Sequence, residues 1–261
     1  MFAPFMINAW ITASVVGVVS AVVGFFIAVR GQAFLAHALP NGAFAGAAMA
    51  SLVNINPLLG LGIFSVFGAG IIAFLEKKLK KDTATALGFV LLLAIGALLL
   101  SLTTEYSQQI FALLFGEILG VSSTELLPTV ILALVTLGLI SFAYRPLLYS
   151  SVLEEVAFSK KVSPDIYNIV FLLIVALVTT MAIPVVGTLL IFTLLVAPAA
   201  TARLISKTPK TALWFSVGLS LIIVYLSIAM AYWSNWPIGF FIGTLGVASY
   251  VAGKLYQKVT S

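Results

Sequence analysis

The chain has 261 residues, of which 62% are hydrophobic and only 8% charged, with a mean hydropathy of +1.21. A soluble domain carries about 25% charged residues, so this composition excludes one and specifies a polytopic membrane protein. Cysteine is absent, which removes disulfides, thiolate metal sites and Cys nucleophiles; the net charge of +5 reports cytoplasmic loops rather than affinity for nucleic acid.

In chain order, a first apolar span is predicted over 7–29, ending at Arg30. The N-terminal stretch MFAPFMINAW has no positive n-region, so no cleavable signal peptide is expected. A short span over 41–53 leads to the turn Asn54-Ile55-Asn56-Pro57. The next two cover 58–75 and 84–102, separated by the charge run at 76–82. The piece at 110–121 is too short to cross a bilayer that takes about 20 helical residues. A full span follows over 126–144, then the polar interval 145–165, then apolar spans over 167–182, 185–205, 211–232 and 237–256.

Topology is decided by the basic residues. If 110–121 does not cross, all 13 Lys and Arg fall on one side: Arg30, the four lysines of 77–81, Arg145 with Lys160 and Lys161, Arg203, Lys207 and Lys210, and Lys254 with Lys258. If it crosses, they split between two faces. Short-loop Lys/Arg bias fixes orientation, so the expectation is about nine transmembrane helices plus one re-entrant half-helix, with the N-terminus outside and the C-terminus in the cytoplasm. Re-entrant backbone is tolerated only against protein or a water-filled cavity, which sets 111–121 beside a pathway. An odd span count without an internal repeat fits a homodimer with a central pathway better than a two-half carrier.

The stretch RGQAFLAHALPNGAFAGAAMA, 30–50, holds the single histidine, His37. Gly42, Gly46 and Ala50 fall four apart, where another backbone can approach closely. His37 and Asn41 are also four apart and share a face if the helix continues through Pro40. Two readings stand: polar ligands carried into a pathway, or an interfacial pair that satisfies itself. Glu117 carries a carboxylate at half-depth, either facing the pathway or serving structure alone. In the interval RPLLYSSVLEEVAFSKKVSPD, the part from 147 to 160 is predicted as a cytoplasmic helix with Glu154 and Glu155 exposed, more than a connector requires. Walker-type phosphate loops and HExxH do not occur, so no catalytic constellation is expected.

Five segments in order carry a resemblance. IAVRGQAFLAHALPNGAFAGAA, FALLFGEILGVSS, VLEEVAFSKKV, VVGTLL with LLVAPAATAR, and NWPIGFFIGTLG together resemble the permease subunits of the zinc and manganese ABC importers. The resemblance covers nearly the whole chain and implies a single permease domain over 1–261 with a fold similar to type II ABC importer permeases. It implies a homodimer in a prokaryotic plasma membrane, partnered by a cytoplasmic ATP-binding subunit and an extracellular substrate-binding protein. ATP hydrolysis would belong to the partner, and the chain itself would need no cofactor. Its coupling segment, about 145–165, places ATPase contact on Glu154, Glu155 and Ala157. The family usually has Asp and, four residues later, His in its pathway segment; His37 and Asn41 stand there instead, and with Glu117 they form the expected metal-passage set. Loss of the carboxylate tilts the cargo toward zinc, with manganese next. A stand-alone ion-coupled carrier or channel is the competing function.

Overall fold

The computed structural model describes residues 4–102, 116, 123–152 and 163–260. Ten helices fill them, and no strand occurs among the described residues: α1 (Pro4–Arg30), α2 (Ala33–Ala43), α3 (Ala45–Val53), α4 (Pro57–Glu76), α5 (Lys81–Leu102), α6 (Ser123–Val152), α7 (Pro164–Val186), α8 (Thr188–Ile205), α9 (Pro209–Ser234) and α10 (Ile238–Thr260).

Local chemistry sets many of these boundaries. Asn56 caps α4 by accepting from the Leu58 amide at 2.8 Å, and Pro57 follows at the first helical position, where its missing N–H costs nothing. Thr208 and Thr211 close a reciprocal capping box on α9, again with a proline at its start. Asn54 and Asn235 end α3 and α9 in the left-handed region, which asparagine tolerates better than most residues. Gly187, at φ +84°, separates α7 from α8.

Seven helices are long and apolar enough to cross a bilayer. The α2–α3 run and the 18-residue α8 bring the passes among the described residues to nine. Close approaches give their directions. Leu39 meets Gly68 and Gly46 meets Gly60, so α4 runs antiparallel to α2–α3; Gly42 meets Leu92 and Ala45 meets Gly96, so α5 runs parallel to them. Ser216 and Ser220 donate to the carbonyls of Ala21 and Gly17, which sets α9 antiparallel to α1. Arg203 donates to the Ala28 carbonyl, aligning α8 with α1. This alternation brings the described Lys and Arg side chains to one end of the bundle, the cytoplasmic end.

Of the seven long helices α1 and α7 are the most enclosed, and they supply most of the core, including Phe26, Phe171 and Leu172; α5 and α10 keep most of their surface open. On α9, exposed Trp214 and Trp233 stand 19 residues apart. At 1.5 Å per residue that is about 28 Å, the separation of the two interfacial belts of a bilayer. The architecture is that of a multi-pass membrane protein.

Three boundaries differ from expectation. The second span starts at Ala33, not near 41, because Pro40 is accommodated within α2 rather than ending it. α6 continues to Val152, so 145–152 extend a membrane helix instead of opening the polar interval. α7 runs through Pro184 to Val186, and the break falls at Gly187. Of 110–121, only Gly116 is described. Its backbone lies against the outer α7–α8 junction, where an added Cβ would meet the Val186 carbonyl carbon at 2.2 Å.

Candidate functional site

α2 carries two faces. Leu35, Ala36, Leu39, Gly42 and Ala43 are buried against the bundle. Phe34, His37, Asn41 and Phe44, spaced three and four apart, form a stripe that stays partly open. Helix continuity through Pro40 therefore does put His37 and Asn41 on one face. Pro40 has no N–H to give the Ala36 carbonyl, so the helix is weakest where the polar pair sits.

Aromatic rings surround the imidazole. Phe34 on α2, Phe89 on α5 and Phe192 on α8 have ring centroids 6.3, 6.1 and 5.6 Å from that of His37, and the last two meet it edge-on. The Asn41 amide nitrogen donates to the His37 carbonyl at 2.8 Å and lies 3.4 Å from its Nδ1. An amide NH2 only donates, so Nδ1 accepts, and the neutral ring carries its proton on Nε2.

Cytoplasmic of this pair, a cavity of about 410 Å³ is lined by Gly31, Ala33, Val196, Ala200, Arg203 and Tyr250, among others. Ala33 lies one turn below His37 on α2, and Val196 and Ala200 continue the α8 row that begins at Phe192. The stripe and the cavity thus share helices α2 and α8, although none of Phe34, His37, Asn41 and Phe44 lines the cavity itself.

Among the described residues no group of three or more His, Cys, Asp or Glu gathers in a metal-holding cluster. The donor set that one chain brings to the stripe is a single imidazole and a single amide, enough for passage but not for a closed four-ligand site. Glu117, Glu154, Glu155 and Ala157 lie outside the described residues. Sequence reasoning missed the phenyl rings of Phe89 and Phe192, which come from distant helices without any periodic signature. It also gave no role to Arg30, whose contacts with side chains of α6 and α7 are described below.

A profile of the ABC 3 transport family matches residues 2–257. The chain is 31% identical over 237 residues to the manganese import system permease protein ScaB of Streptococcus parasanguinis, covering 90% of this chain and 84% of that protein. It is 24% identical over 216 residues to the high-affinity zinc uptake system membrane protein ZnuB of Haemophilus influenzae, covering 82% and 83%. Its fold superposes on PsaBC from Streptococcus pneumoniae, solved in complex with Fab, with a TM-score of 0.86 at 28% identity, over 100% of this chain and 96% of the other. On the family match over nearly its full length, the chain belongs to the ABC 3 transport family and is a membrane permease.

Proposed function

We propose that this chain is the permease of an ATP-driven importer for a divalent first-row metal, with zinc the first reading of the cargo and manganese the second. Two copies, side by side, would set their α2 stripes across a shared pathway, and a separate cytoplasmic subunit would hydrolyse ATP. An extracellular binding protein would deliver the metal. The observation that carries this reading is the half-open His37–Asn41 pair on α2, with a cytoplasmic cavity lined by Ala33 one turn away on the same helix.

The donor set suits transit. An ion must leave as readily as it arrives, so two imidazoles and two amides completed by water serve better than a full ring of anions. Imidazole nitrogen favours zinc over manganese, whereas kinship to ScaB favours manganese. Glu117, if it faces the outer mouth, would raise the local concentration of cations there without holding them.

Reconstitution tests the proposal. Liposomes holding the permease alone should take up neither metal, and adding the ATPase subunit, loaded binding protein and ATP should start uptake. Competition between zinc and manganese in that assay ranks the cargo. Uptake at full rate without any ATPase would overturn the reading in favour of a stand-alone carrier.

A further inference from the structure

At the cytoplasmic end, a guanidinium is spent on three partners at once. Arg30, the last residue of α1, donates from Nε to the Ser151 hydroxyl, from one terminal nitrogen to Asn168 Oδ1 and from the other to the Ser150 hydroxyl, each at 3.0 Å. Its central carbon lies 4.3 Å from the centre of the Phe171 ring. The Asn168 amide in turn donates to Glu76, and the Gln32 amide donates to the other Glu76 oxygen at 3.4 Å.

These partners bracket one segment. Ser150 and Ser151 are among the last residues of α6, and Asn168 is in the first turns of α7; the chain between them contains Glu154, Glu155 and Ala157. Gln32 is the N-cap of α2, five residues before His37. Between Arg30 and Gln32 stands Gly31, at φ +68°, a conformation glycine adopts without strain, and the Gln32 main-chain amide donates back to the Ile27 carbonyl at 3.1 Å, holding the start of α2 to the end of α1. Gln32 is buried, and its Oε1 has no partner in this conformer, leaving an acceptor open to a rearranged network.

We infer that Arg30 is a positioning residue of transport: it ties both ends of the segment between α6 and α7 to the start of α2, so that a push on the segment is delivered to the His37–Asn41 stripe. The inference rests on the permease reading above. A packing role alone asks only for a cation at the end of α1, which lysine supplies. Delivery of a push asks for the planar fork that holds Ser150, Ser151 and Asn168 together, which lysine lacks.

The test uses the full complex in liposomes with Zn2+ and, in a parallel run, Mn2+, reading metal moved per ATP hydrolysed for whichever ion the parental complex carries. In Arg30→Lys the ATPase should still dock and hydrolyse, while metal per ATP falls at least tenfold. A parental ratio in that variant overturns the inference. If Arg30→Lys does not fold, Ser151→Ala removes one Arg30 bond and Asn168→Ala removes another together with the donation to Glu76, and each should lower the ratio severalfold; unchanged ratios in both overturn it as well. Failure of the parental complex to move either Zn2+ or Mn2+ overturns the metal-importer reading itself, and this is seen before any variant is made.

Discussion

The side chain of Asn41 donates to the backbone of His37 at 2.8 Å and turns its second amide hydrogen toward Nδ1 of the same residue. With Nδ1 accepting, the neutral imidazole carries its hydrogen on Nε2, which then offers a donor and not a lone pair. A cation can bind Nε2 only after the proton moves to Nδ1, and Asn41 must then turn its oxygen to receive it.

That requirement separates three variants. His37→Ala should lose uptake by at least tenfold. Asn41→Leu should lose about tenfold, the usual cost of removing the partner that orients a ligating imidazole. Asn41→Asp should ligate more tightly but release more slowly, giving a lower KM and a lower maximal rate. Metal uptake kinetics read all three, and parental kinetics in His37→Ala would dismiss the stripe as packing.

Close backbone contact makes a second prediction. A Cβ on Gly46 would lie 2.1 Å from the Gly60 carbonyl oxygen, and one on Gly60 would lie 2.1 Å from that of Gly46. Gly46→Ala should cost about 3 kcal/mol, the upper range for overpacking, and lower the Tm in detergent. Gly70→Ala and Gly138→Ala, where a Cβ meets nothing within 4 Å, should leave it unchanged.

Coupling can be probed by charge. Glu154→Lys with Glu155→Lys should abolish uptake and ATPase co-purification while the permease still inserts, because reversed charge on a docking surface meets like charge on the partner. Normal uptake in that double variant would remove the docking assignment.

The orientation is testable with single cysteines, since none occurs naturally. Leu79→Cys, in the basic α4–α5 turn, should react only after the membrane is opened. Asn235→Cys, at the other end of α9, should react in intact cells. The reverse pattern would invert the topology.

Much of this was legible in the sequence because a bilayer imposes strict rules on length and charge. Span count and the one-sided basic residues followed from those rules alone. The start of α2 was not legible: Pro40 reads as a terminus, yet the packed bundle holds the helix together across it. The Arg30 cluster was hidden for another reason. Its members at 30, 76, 150, 151 and 168 are brought together only by three-dimensional packing, and a span-end charge looks the same on paper whether it faces water or protein. His37 and Asn41 were found because helical spacing is a local property; their phenyl neighbours were not, because contact across helices is not.

Gly46 and Gly60 also constrain what descent can do with this protein. Each is blocked by the other's main chain, so no substitution at one position makes room for a side chain at the other. Drift cannot pass through either site by a compensating change, and lineages that alter their cargo must do so elsewhere. The α2 stripe, open on one side, is where such change meets least resistance. The helix crossing is thereby held fixed while selectivity remains free to diverge.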